Sequence, residues 1–266
     1  MATNSTLYCR RQIKLIGVLT MSTIIVPQNI DAETDSAKLY LPVTDGLQYI
    51  MLGTDSVKKA THNFAPRKRD GQGIGAVSIV DNVAKFVSQS AYLQTDVAET
   101  ADFTAIFVVK TDDTLAASAT RAVVFGTFES LPKNGETTKT YGSIVYFNSA
   151  TQISLIAGRG TTVANTLNGN VVLTTNPKQY QLYVARVDAT TNMIKNITAA
   201  TINTKNDATV RMTTIANYRI GSSYAAFNGH CQLPFVALYN RALTDVEVDS
   251  VAKTVRRIML KKGITI

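Results

Sequence analysis

Residues 233–239 restrict the fold of this chain more than any other segment. Leu233, Phe235, Ala237 and Tyr239 fall on one side of an extended strand, and Val236 and Leu238 fall on the other. A strand that is apolar on both sides has to be covered on both sides. One face must meet a second sheet and the other must meet something packed outside it. The following residues supply that cover. Thr244 stands three places before Glu247, the spacing of a capping box, and Val248, Val251, Val255, Ile258 and Met259 then recur at helical intervals. Gly263 is placed to stop the helix, and Arg256, Arg257, Lys261 and Lys262 crowd its last turns, where positive charge complements the helix dipole. A buried strand with a helix laid back on it is predicted.

Helical periodicity is convincing only there. Elsewhere threonine, valine, alanine and glycine are abundant, and charged residues make up only 17% of the chain. Short strand candidates stand at residues 103–110, 122–128, 141–147, 152–157, 161–167, 180–188, 193–198 and 218–221, separated by polar or glycine-containing turns. Residues 148–150, Asn-Ser-Ala, read as a hairpin turn, and residues 131–140, with proline, Asn-Gly and charge together, read as an exposed loop. A length of 266 residues leaves room for one large all-β domain and a short extension. Residues 1–37 are expected to form an N-terminal arm, and residues 38–266 the domain.

Arg10, Arg11 and Lys14 precede an apolar run over residues 15–26 that superficially resembles a secretory leader. Thr20, Ser22 and Thr23 interrupt it, no small-x-small cleavage site follows before Pro27, and it is too short to span a bilayer. An arm that pairs with a neighbouring chain, or an upstream extension with Met21 as the natural start, is therefore preferred to a leader. No membrane span is expected.

The 27 basic residues against 19 acidic give a formal charge of +8, which suits an anionic partner. The basic runs are dispersed, however. Arg10, Arg11 and Lys14 lie in the arm, Lys58, Lys59 and residues 67–69 lie in a loop-like region, and the last cluster belongs to the helix end. They read as solvated charge, and no nucleic-acid partner is expected. Cys9 and Cys231 make no disulfide framework, and with His62 and His230 alone they make no zinc cluster. Cys231 reads as a buried thiol. Neither a metal nor a cofactor is expected. No nucleophile-elbow sequence accompanies the histidines. His62 reads as a surface loop residue and His230 as a turn or edge residue, so no catalytic residue is assigned.

Ala84-Lys85-Phe86 followed by Ala91-Tyr92-Leu93, then residues 103–110, residues 180–188, Ile220-Gly221 and Phe227-Asn228-Gly229 stand in a telling order ahead of Tyr239-Asn240-Arg241-Ala242-Leu243 and the capped helix. That order resembles the concanavalin A-like, laminin-G-like jelly-roll superfamily, over residues from about 60 to 260. The resemblance implies an all-β jelly-roll β-sandwich with a C-terminal α-helix and an N-terminal arm. Domains with this ending are common in bacteriophage tail, fibre and decoration proteins and in secreted carbohydrate-binding proteins. Glycoside hydrolases of the superfamily carry Glu-x-Asp-x-x-Glu on one strand, which aligns two carboxylates on one face. Here Glu33-Thr34-Asp35 and Glu247-Val248-Asp249 both lack the second glutamate. Lectin members bind calcium through close-set aspartates, but Asp112-Asp113 reads as a solvated turn.

Sugar sites combine aromatic platforms with amide and guanidinium donors at loop ends. Tyr146, Asn148, Arg159, Tyr224, Asn228 and His230 form the candidate ligand-binding set, although Tyr146 and Tyr224 suit packing equally well and the chain has no tryptophan. The resemblance implies a non-enzymatic structural or adhesion protein of a phage virion. Such a protein would assemble with other virion proteins and with its own copies, and would bind host surface polysaccharide. A secreted, lectin-like carbohydrate-binding module is the alternative, and a polysaccharide hydrolase ranks last.

Overall fold

The computed structural model describes residues 39–225 and 227–266. The expected arm, residues 1–37, and Cys9 lie outside the described residues.

The described residues form fifteen strands: β1 (Leu47–Leu52), β2 (Gln72–Ile74), β3 (Ser78–Val80), β4 (Val83–Val87), β5 (Tyr92–Ala98), β6 (Phe103–Lys110), β7 (Val123–Gly126), β8 (Ser143–Ser149), β9 (Gln152–Ala157), β10 (Val171–Thr174), β11 (Gln181–Val187), β12 (Thr191–Asn196), β13 (Thr201–Asn206), β14 (Asn217–Ile220) and β15 (His230–Tyr239). A short helix, α1 (Val57–Thr61), and the C-terminal α2 (Asp245–Lys261) accompany them. The strands form two antiparallel sheets packed as a jelly-roll sandwich. The eight-stranded sheet runs β13-β12-β11-β6-β15-β4-β3, with β1 also paired to β15, and the seven-stranded sheet runs β10-β9-β8-β7-β14-β5-β2.

β6 and β15 show why the eight-stranded sheet has cover on both sides. Phe103, Ala105, Phe107 and Val109 of β6 enter the core between the sheets, while Ile106 and Val108 enter a second core beneath α2. In β15, Val236 and Leu238 face the first core, and Phe235, Ala237 and Tyr239 face the second. Leu233 departs from the expected pattern by siding with Val236 in the inter-sheet core. The pairing with β6 slips between Gln232 and Phe235, where Pro234 cannot donate to the ladder. A bulge at that point reverses the alternation.

α2 begins as the sequence predicts. Thr244 caps the backbone N–H of Glu247, and the Glu247 carboxylate accepts from the Thr244 N–H at 2.8 Å. Val248, Val251, Ala252, Val255 and Met259 are buried against the sheet, each contributing about 1.5–3 kcal/mol where a large apolar side chain leaves water. Gly263, at φ 73°, turns the chain back so that the Ile264 N–H reaches the Met259 carbonyl at 2.9 Å.

The Tyr239–Leu243 run is a joint between strand and helix. Arg241 pairs with Asp45 at 2.8 Å and Glu247 at 2.6 Å, the Tyr239 hydroxyl donates to the Val43 carbonyl, and the Leu243 N–H donates to Thr104 Oγ1.

One end of the sandwich is closed by a buried ion pair. Glu99 and Arg211 meet at 2.9 Å, and the carboxylate also accepts from Thr127, Ser143 and both the backbone and hydroxyl of Thr214. The expected strand at residues 161–167 is instead a loop with one 3-10 turn, Val163–Asn165, tied back by Asn165 to the N–H groups of Thr161 and Thr162. The side-chain amide outcompetes a ladder there. Cys231 is a buried free thiol whose Sγ lies 3.1 Å from the Val123 carbonyl, and burial pushes its pKa up.

Candidate functional site

β7, β8 and β9 are apolar on both faces. Val124, Val145, Phe147, Ile153 and Leu155 point into the inter-sheet core, whereas Val123, Ile144, Tyr146 and Ile156 form a cluster on the outer face of the seven-stranded sheet. No helix covers that face among the described residues. The loop between β14 and β15 crosses it, with Ala225 and Phe227 packed on the cluster. Gln89, held at φ 69°, fixes this loop by donating to Ser222 Oγ and the carbonyls of Ser223 and Ala225, and Ser88 and Ser222 share a hydroxyl contact at 3.2 Å. Beyond Phe227, the Asn228 N–H donates to the Ala119 carbonyl at 2.7 Å and the Gly229 N–H to the Arg121 carbonyl at 3.2 Å. A Cβ at Gly229 would stand 2.3 Å from the Thr120 carbonyl oxygen, so only glycine permits this approach.

These anchors set four aromatic rings in a row. The Tyr146 and Phe227 rings stack with centroids 5.5 Å apart, Phe227 and Phe128 at 6.3 Å, and Phe128 and Tyr141 at 5.9 Å. Tyr146 and Phe128 are the buried floor, while Phe227 is half-buried and Tyr141 is 38% exposed. Burial raises the pKa of the Tyr146 phenol, so it is neutral at physiological pH. At the Tyr141 end the row opens into a cleft of about 430 Å³ lined by Phe128, Glu129, Lys139, Thr140, Tyr141, Val163, Ala164 and Thr166. That volume lies in the range typical of small-ligand sites. The Thr140 hydroxyl on its wall is buried without a hydrogen-bond partner. At the other end, the Arg121 guanidinium lies 5.6 Å from the Tyr146 ring centre and 5.8 Å from that of Phe227.

Of the residues nominated by the sequence, Tyr146 and Asn228 meet at this row, Tyr146 as floor and Asn228 as an exposed neighbour of Phe227. Tyr224 stands on the same face but in a separate group. Its ring covers the Arg219 guanidinium at 3.7 Å, with Tyr92 on another side at 4.6 Å, and its hydroxyl donates to the Asn217 carbonyl. Asn148 sits near the β8–β9 turn and faces Gln152 at 3.4 Å. Arg159 is fully buried, and its N–H groups are taken by Asn192 Oδ1 and the carbonyls of Asp188, Ala189 and Thr209. It braces the fold and presents nothing to a ligand.

His230 lies elsewhere, on the first residue of β15, with Nδ1 3.0 Å from Asp113 Oδ1. Asp113 is thus part of a pair and not only a solvated turn. Lys85, Asp112, Gln232 and this pair border a second cleft of about 310 Å³. No hydroxyl or thiol among the described residues bonds to the His230 ring, and the neighbouring Cys231 points inward. His62 caps α1 beside Asp70 at 2.8 Å. Among the described residues no group of three His, Cys, Asp or Glu side chains is placed to hold a metal ion, and no helix is long and apolar enough to cross a membrane. Phe128, Tyr141, Phe227 and Arg121 are the residues of the row that sequence reasoning did not nominate. Their signal was aromatic residues flanking the exposed loop at 131–140 and the Phe-Asn-Gly turn.

No protein-family model and no curated protein matches the sequence. Solved structures match in fold. The binding domain of botulinum neurotoxin DC in complex with SialylT is 7% identical with a TM-score of 0.57, over 80% of this chain and 52% of that one. The same domain in complex with rat synaptotagmin II gives a TM-score of 0.58 at 7% identity, over 80% of this chain and 52% of that one. Trypanosoma rangeli sialidase in complex with sialic acid gives 0.53 at 15% identity, over 81% of this chain and 34% of that one. The chain therefore spans about half the length of the neurotoxin domains. At such identities the likeness establishes the β-sandwich fold alone.

Proposed function

We propose that this chain is a non-catalytic glycan-binding module that serves as a tail, fibre or decoration component of a phage virion and contacts host surface polysaccharide. The observation that carries the glycan reading is the outer-face cleft. It joins an aromatic track to the charged Glu129 and Lys139 and to the Thr140 and Thr166 side chains on its lining, the mixture of apolar and polar groups that a saccharide's ring faces and hydroxyl edges require. Two neighbours in fold, a neurotoxin domain with SialylT and a sialidase with sialic acid, support a saccharide ligand. Glu129 is the one carboxylate lining the cleft, whereas the usual glycosidase mechanism needs two flanking the bond. The virion setting rests on the resemblance of the β15–α2 ending, and assembly with other virion proteins and with copies of the chain belongs to the same reading.

Two measurements test the proposal. Mass spectrometry of purified particles is expected to find the chain, and its absence from particles would remove the virion assignment. Titration of host surface polysaccharide into the full chain is expected to show binding that Tyr141→Ala weakens by about tenfold or more without lowering Tm. Equal binding by the variant would remove the cleft from the account.

A further inference from the structure

Arg121 differs from the ion-paired arginines of the domain. Arg69 faces Asp96, Arg186 faces Asp245, and Arg241 faces Asp45 and Glu247. Arg121 has no carboxylate partner among the described residues, and its Nε is buried with no acceptor. Two aromatic faces hold the guanidinium in place, which positions a cation without neutralising it. The residue is only half-buried, and of its guanidinium nitrogens Nε is the one buried without a partner, which leaves the Nη groups for a ligand. Its backbone is fixed as well, because Gly229 packs directly on residues 120 and 121 and delivers Phe227 and Asn228 to the same spot.

A sugar hydroxyl arriving here would accept one N–H and leave the charge uncompensated. A carboxylate would match the planar fork with two oxygens and supply the missing counter-charge. Because the guanidinium is partly shielded by the two rings, that contact resists salt screening better than the dispersed surface charges behind the net +8. We propose that Arg121 selects a saccharide carrying a carboxylate, a uronic or sialic type of sugar, at the Phe227 end of the row. This rests on the saccharide reading of the cleft. In that arrangement Phe227 supports the apolar face of the acidic sugar, Arg121 grips its carboxylate, and the exposed Asn228 amide reaches a neighbouring hydroxyl.

The experiment titrates the full chain with polygalacturonate, alginate and polysialate, each beside its carboxyl-reduced form, at fixed ionic strength. Wild type, Arg121→Gln, Arg121→Lys and Tyr141→Ala are compared. Wild type is expected to bind at least one acidic polymer about tenfold or more tightly than its reduced form. Arg121→Gln is expected to erase that preference and bind both forms as wild type binds the reduced one. Arg121→Lys should restore only part of it, since an ammonium has no fork. Tyr141→Ala should weaken both forms alike. If wild type binds both forms equally, or if Arg121→Gln keeps the preference, the role of Arg121 is overturned while the saccharide reading stands. If wild type binds none of the polymers in either form, both fall together. A sulfated neutral polysaccharide that competes as well as the acidic polymer would overturn selection for a carboxylate.

Discussion

Glu99 and Arg159 are both fully buried and both charged in character, yet they differ in what their removal leaves behind. Glu99 is opposite Arg211, so Glu99→Gln strands a guanidinium that is 7% exposed. Taking one partner from a buried pair costs about 3–5 kcal/mol, and urea unfolding of Glu99→Gln is expected to show a loss of that size with an unchanged m-value. A loss near that of an exposed pair, about 1 kcal/mol or less, would contradict the burial described. Arg159 shows how little of such a role is legible in sequence. An arginine after a strand reads as a donor at a loop end, and only the convergence of Asn192 with three carbonyls from residues 188, 189 and 209 reveals a brace. Phe128 and Tyr141 show the opposite case. They read as strand and loop-flank residues, and their meeting depends on the β7–β8 pairing and on Phe227 folding over from a loop more than eighty residues away.

The β15–α2 unit was legible because its signals are local. Two apolar faces, a capping box and a stop glycine can all be read within about 30 residues. The one local error, the side taken by Leu233, came from a bulge at Pro234 that alternation alone does not reveal. Edge strands were harder. β13, TINTKN, is exposed along nearly its whole length and carries no apolar period, and residues 161–167 mimic a strand in composition while their side chains favour a turn. The α2 cap also carries a pH signature. Hydrogen bonds from Arg241 and then from the Thr244 backbone lower the Glu247 pKa from 4.5 to about 2. A carboxyl depressed in the folded state contributes stability that is complete above its unfolded pKa and is lost as pH falls through the folded one. Thermal melts are therefore expected to show a decline in Tm from about pH 4.5 toward about pH 2, part of which disappears in Glu247→Gln. An identical acid limb in wild type and variant would show that the cap contributes nothing there.

At the scale of the whole molecule, the two outer faces of the sandwich are finished differently. The eight-stranded sheet carries α2, whereas among the described residues no helix lies on the seven-stranded sheet and the loop between β14 and β15 bridges it. That second face carries the aromatic row, the cleft and Arg121, so under the proposed function the fold separates a packing face from the face assigned to binding. His230 and Asp113 form a second polar cleft on the other sheet, which makes location the decisive issue. The most direct measurement is NMR of the full chain with isotope-labelled Phe and Tyr rings, titrated with host surface polysaccharide and with the acidic polymers named above. Ring resonances of Tyr141, Phe128, Phe227 and Tyr146 are expected to shift together and saturate with one affinity, while those of Phe86 beside the His230 cleft stay in place. Shifts centred on Phe86, or a saturating ligand that leaves the four outer-face rings unmoved, would contradict the assignment of the binding face.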